Sequence, residues 1–172
     1  MKRLGINIDH VATVRNARGS SHPDPVQIAE YVMECGAHSI TIHLREDRRH
    51  IKDSDVVKIC KNKKIITNLE ISLNDEILNI ALKNKPNFIC IVPEKRKEVT
   101  TEGGLNVFKN VNKIKKIITK FKKKKIRTSL FINPNLKDIK IAKELNADCV
   151  ELHTGKISDL VKNKKDYKHE YK

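Results

Sequence analysis

The chain has 172 residues, 38% of them apolar, enough to bury one sizeable core and hardly two. It carries 36 basic against 21 acidic side chains, a formal charge of +15, but only three tyrosines, four phenylalanines and no tryptophan. Its surface should attract phosphate, while stacking platforms for single strands are scarce and no specific nucleic-acid partner is expected. No apolar run approaches the roughly 18 residues of a membrane helix, and residues 1–10 lack the apolar stretch of a secretory signal, so a soluble intracellular protein is expected.

Short β-branched runs alternate with stretches of helical period, the signature of an α/β fold with a parallel sheet. Leu4 to Ile8 reads as the first strand, followed by a long loop of about 15 residues. The first helix is sharply punctuated. Asp24 is its N-cap, Pro25 stands in the first turn, Val26, Ile28, Ala29, Val32 and Met33 face inward, and Gly36 is the stop. Ser39 to Leu44 is the second strand, and a loop of about nine residues leads to a helix over Ser54 to Asn62. Ile65 to Ile71 is the third strand. The next helix, Asn74 to Lys83, has Asp75 and Glu76 in its first turn, where the macrodipole favours negative charge.

Phe88 to Val92 is the fourth strand. The loop after it runs from Glu94 to the pair Gly103 and Gly104, a composition suited to a closing lid. Val107, Val111, Ile114, Ile117, Ile118 and Phe121 form a stripe of helical period with lysines as its wet face. Ile126 to Ile132, the helix Leu136 to Leu145 and the strand Asp148 to Leu152 complete the alternation. Beyond Gly155 only Ile157, Leu160 and Val161 are apolar anchors, so a frayed helix start or a disordered tail is expected. Residues 1–155 therefore read as one domain, a partial (β/α) unit, and residues 156–172 as a Lys-rich tail. All six strands look like continuous apolar runs, as if covered on both faces. Cys35, Cys60, Cys90 and Cys149 are too scattered for a zinc knuckle or a dense disulfide framework and are expected to be reduced, mostly buried thiols.

Each strand delivers a polar group to one rim: Asn7, Asp9 and His10; His43 and Arg45; Glu70; Glu94 and Lys95; Asn133; Glu151 and His153. In parallel α/β folds ligands bind at the carboxyl ends of the strands, so this convergence points to an active site. Glu70 and His43 lie inside apolar runs where desolvation brings proton affinities toward neutrality, which makes them the acid–base candidates. Arg45, Arg48, Arg49 and His50 set cations beside the end of strand two, suited to phosphate, although salt bridges with Glu46, Asp47 and Asp53 account equally well for Arg48 and Arg49. Asn16, Arg18 and Gly19 offer a second anion site. The competing chemistry is a metal held by Asp9, His10, His43, Glu70 and His153, but no HxH, HExxH or CxxC spacing supports it.

The segments GINIDHVATVRNARGSSHPDPVQIAE from Gly5, ITIHLREDRRHI from Ile40, NLE at Asn68, IVPEKRKEVTTEGGL from Ile91, SLFI at Ser129 and ELHTG at Glu151 resemble the pyridoxine 5′-phosphate synthase family of vitamin B6 biosynthesis. The resemblance implies a (β/α)8 TIM-barrel transferase that condenses 3-amino-2-oxopropyl phosphate with 1-deoxy-D-xylulose 5-phosphate, releasing pyridoxine 5′-phosphate, phosphate and water. It implies no metal or organic cofactor, and a cytoplasmic homo-oligomer. By position, it assigns Asn7 and Arg18 to the aminoketone phosphate, and Asp9, His10, Arg45, His50 and Thr100 to the pentulose phosphate. His43 and Glu70 become proton acceptors, and Glu151 stabilises a charged transition state.

Such barrels typically need about 250 residues, and here six strands are predicted. An incomplete barrel is expected, without the family's seventh and eighth strands, its proton-donor histidine and its glycine-containing phosphate loops. This frames a shortened synthase, impaired by truncation. The alternatives are a metal-dependent phosphosugar epimerase or aldolase, and a non-catalytic remnant that binds nucleic acid non-specifically.

Overall fold

The computed structural model describes residues 2–94 and 103–171. Six strands form one parallel sheet in chain order: β1 (Gly5–Asn7), β2 (Ser39–His43), β3 (Thr67–Ile71), β4 (Phe88–Ile91), β5 (Arg127–Ile132) and β6 (Cys149–Leu152). The crossovers are α1 (Asp9–Arg18) and α2 (Pro25–Glu34), then α3 (Asp53–Lys61), α4 (Asp75–Asn84), α5 (Val107–Lys123) and α6 (Leu136–Glu144). Helix α7 (Gly155–Lys162) and a 3₁₀ turn (Lys168–Tyr171) follow β6, so the Lys-rich tail is helical over much of its length.

The sheet curves. Asn68 Nδ2 on β3 donates to Glu151 Oε1 on β6 at 3.4 Å, although the two strands are three places apart. A flat sheet would separate them by roughly 14 Å. The result is the wall of an incomplete (β/α) barrel, with β1 and β6 each paired on one side among the described residues.

Register separates two faces of different chemistry. Ile40, Ile42, Leu69, Ile71, Ile89, Ile91, Leu130 and Ile132 are fully buried against the helices. The alternate positions, Asn7, Thr41, His43, Asn68, Glu70, Cys90, Ser129 and Glu151, turn to the concave side, as the pairings Asn7 with Thr41, His43 with Glu70 and Cys90 with Ser129 require. The expectation of strands apolar on both faces is thus corrected: the convex face is apolar and the concave face polar.

On the helix side, Ala29 and Pro25 of α2 are buried, and the Asp24 side chain accepts from the Val26 N–H as the cap pattern predicts. Helix α5 buries Val107, Ile114, Ile117, Ile118 and Phe121 and leaves its lysines outward. Among the described residues no helix is long and apolar enough to cross a membrane. The cysteines depart from expectation. All four are free thiols, but only Cys90 is buried, while Cys35 ends α2 and Cys149 begins the β6 edge, both exposed.

Helix α1 overturns the long loop predicted after β1. Asp9 in its first turn, Arg15 and Arg18 in its last, and Gly19 as a left-handed cap (φ 62°) are ordinary helix punctuation. The apolar period is weak because a core-facing position belongs to Arg15. Its guanidinium is buried and forms a bidentate pair with Asp55 of α3, at 2.7 and 2.9 Å. A charge buried against a partner 40 residues away has no signature in a local window.

Candidate active site

The rim site is built outward from Asp9, a buried carboxylate at the start of α1. Its Oδ1 accepts the backbone N–H of His43 at 2.7 Å, and its Oδ2 accepts from Asn7 Nδ2 at 3.0 Å. Asn7 Oδ1 returns a bond to the Asp9 N–H at 2.9 Å. The ends of β1 and β2 are thereby tied at fixed register, and this sets the position of His43.

His43 lies between two carboxylates. Nδ1 is 3.7 Å from Glu70 Oε2 and Nε2 is 3.7 Å from Glu94 Oε2. His43 pulls both acids down, yet their net shifts are opposite. Burial pushes the Glu70 carboxyl up to about 7, with Asp9 and Glu151 adding to the rise and His43 opposing it. Burial also raises Glu94, but His43, the Glu46 N–H and Arg45 together outweigh it and hold this carboxyl below the usual range. One carboxyl can therefore exchange a proton near neutral pH, and the other stays ionised.

Arg45 is buried, with Nη2 at 3.8 Å from Glu94 Oε1 and Nε at 3.5 Å from Asp47 Oδ1. His50 Nδ1 lies 2.7 Å from Thr13 Oγ1, and the rings of His50 and His10 are 5.8 Å apart. Burial lowers the proton affinity of His50 against the pull of Asp9, and His10, Arg45 and Arg49 add to the lowering, so its imidazole is neutral near pH 7. Glu151 reaches across the concave side to Asn68 and contributes to the raised proton affinities of Glu70 and Cys90.

Asn7, Asp9, His43, Glu70 and Glu151 therefore converge on the concave rim, with Arg45, His50 and His10 at its edge. Arg18 does not join them: it is exposed at the end of α1 and, among the described residues, makes no hydrogen bond or ion pair with the cluster. Thr100, Lys95 and most of the predicted lid fall outside the described residues. Asn16 is not free for an anion, because its Nδ2 donates to the carbonyls of Arg49 and His50 at 3.1 and 2.8 Å. Asn133 accepts the Gly104 N–H at 3.0 Å and pins the returning loop to the end of β5. Arg48 pairs with Asp53 and Glu76, and Arg49 with Asp47, as salt-bridged loop residues. Among the described residues no three His, Cys, Asp or Glu side chains gather as metal ligands, and His153 instead packs edge-on to Phe131 at 5.6 Å.

Sequence reasoning missed Thr13 and Arg15, which hold His50 and α3 through α1. The cap at Gly19 was the available signal. Glu94 was legible as a rim residue, but its burial and its two-sided contact with His43 and Arg45 were not.

A polar, carboxylate-rich rim at the carboxyl ends of a curved parallel sheet is the site plan of (β/α)-barrel enzymes. Solved structures agree on the fold. An L-ribulose 3-epimerase covers 89% of this chain and 60% of its own length at TM-score 0.53 and 11% identity. Monomers of a phosphoribosylanthranilate isomerase from Thermotoga maritima cover 97% of this chain and 73% of their own at TM-score 0.52 and 14% identity.

The profile of pyridoxal phosphate biosynthesis protein PdxJ matches residues 4–172, and the chain belongs to that family. A pyridoxine 5′-phosphate synthase of Pelagibacter ubique is 81% identical over 99% of this chain and 72% of its own length. Those of Zymomonas mobilis and Blochmanniella pennsylvanica are 51% and 52% identical over 92% and 90% of this chain. The chain spans 62% and 64% of the length of these last two relatives.

Proposed function

We propose that this chain carries pyridoxine 5′-phosphate synthase chemistry, joining 3-amino-2-oxopropyl phosphate to 1-deoxy-D-xylulose 5-phosphate in the cytoplasm as part of a homo-oligomer. The observation that carries the reading is the His43–Glu70 contact of 3.7 Å, in which the carboxyl exchanges its proton at about 7. Forming an imine, eliminating phosphate and closing a ring each move protons, and a base poised near the working pH serves them best. His43 and Glu70 act as proton acceptors. Glu151, facing the same concavity, stabilises positive charge as it develops on the imine. Asp9, His10, Arg45 and His50 receive the pentulose phosphate together with Thr100; Asn7 receives the aminoketone phosphate from within the cluster, and Arg18 from the exposed end of α1, outside it. The 81% identity to a relative bearing this name supports the assignment.

The test is product formation by the purified 172-residue chain and by its His43→Ala and Glu70→Gln variants. Each variant is expected to lose roughly 10² to 10⁴-fold in kcat with its circular dichroism spectrum retained. Their double variant should lose little more than the worse single one, because the two groups act as a unit. Undiminished turnover in either single variant, or none in the parent chain, would overturn the proposal.

A further inference from the structure

Two buried polar atoms face each other beside the reacting groups without meeting. His43 Nε2 and Glu94 Oε2 both lack a hydrogen-bond partner among the described residues, and they stand 3.7 Å apart. That is outside hydrogen-bonding range but within about 1 Å of it. Buried donors and acceptors are rarely left unmade, and catalytic hydrogen bonds that are long in the free protein tighten when substrate binds.

We propose that Glu94 is a positioning residue that holds the His43 ring proton on Nε2, leaving Nδ1, the nitrogen facing Glu70, to accept a proton. The inference rests on the function proposed above and assigns a polarity to its central base. Glu94 suits the task because it is itself fixed. Its side chain is 2% exposed, and its Oε1 accepts the Glu46 N–H at 2.9 Å with the Arg45 guanidinium nearby. Oε1 is thus committed to donors, and Oε2 is the oxygen aimed at the imidazole. An ionised carboxylate can only accept, so the nitrogen opposite it must donate. Nδ1 then presents its lone pair toward Glu70, whose carboxyl in its protonated form offers the matching donor. The proton that Nδ1 takes makes an imidazolium flanked by a permanent negative charge on its far side, which stabilises it.

Glu94→Gln reverses that polarity without changing shape. The Glu46 N–H still requires an oxygen, so the amide NH₂ replaces Oε2 and donates toward His43 Nε2. The imidazole must answer by moving its proton to Nδ1, where it can no longer accept one.

The experiment is ¹⁵N NMR of the full chain with His43 assigned from the His43→Gln spectrum, alongside steady-state kinetics. The wild-type ring is expected to hold its proton on Nε2 and the Glu94→Gln ring on Nδ1. The kinetic loss should be roughly 10²- to 10⁴-fold, the range expected for loss of the base itself, and should fall in kcat more than in KM. A wild-type proton on Nδ1, an unchanged tautomer in the variant, or a loss confined to KM would overturn the inference. If the variant fails to fold, the wild-type tautomer decides alone. If the parent chain shows no turnover, the proposed function fails, while the two spectra still decide the role of Glu94.

Discussion

Glu70 and Glu94 approach one imidazole from opposite sides, yet only Glu70 is driven into the neutral pH range. The difference lies in what else each touches. Burial raises both, but Glu94 has a backbone N–H and a guanidinium within reach to offset it, whereas Glu70 has Asp9 and Glu151 adding to it. This has a consequence for stability. The folded protein holds the Glu70 proton up to about 7, against an ordinary value of 4.5. The proton is bound more tightly in the folded state, so the stability it contributes is present below about 4.5 and is lost as pH rises through about 7. Glu70→Gln needs no ionisation. It is expected to be more stable than wild type at pH 8, by at most on the order of 3 kcal/mol, and to match it at pH 4. Urea denaturation at the two pH values reads the difference, and a constant offset would contradict the assignment.

At the scale of elements, α1 holds the site in register, and besides its buried Ala12 and its hydrogen bonds to the loop after β2 it is anchored by a buried ion pair. Thr13 and Asn16 support His50 and its carbonyl, and Arg15 anchors the helix to Asp55. Asp55 Oδ2 also accepts the Lys52 N–H at 2.8 Å, which ties the end of the arginine-rich loop to the start of α3. Asp55→Asn would leave a buried guanidinium without its carboxylate. It is expected to cost about 3 to 5 kcal/mol, the penalty for removing one partner of a buried pair. The urea midpoint measures this directly.

At the scale of the whole molecule, the sheet has protected and unprotected strands. β2 to β5 pair on both sides and bury their convex residues completely, whereas β1 and β6 pair on one side only and carry exposed residues such as Leu152. Hydrogen exchange is therefore expected to be slowest in β3 and β4 and fastest, among the strands, in β1 and β6. Mass spectrometry of the exchanging chain would show the gradient, and uniform protection across all six strands would count against it. The same curvature that exposes this concave face brings Glu151 within reach of Asn68 and so completes the candidate site.

The alternation of apolar runs and helical periods, the caps of α2 and α4, and the wet and dry faces of α5 follow from local chemistry, because propensity, capping and periodicity act within a few residues. The rim residues were legible for the same reason: each ends a run that the sequence itself marks. Their geometry was not. That strands apolar in composition present a polar concave face, that Arg15 of α1 is buried against Asp55, and that Glu94 is buried against His43 all depend on partners 30 or more residues away. Such pairings carry no local pattern. Burial and the charges it brings together decide which carboxyl holds its proton, and only the folded chain fixes both.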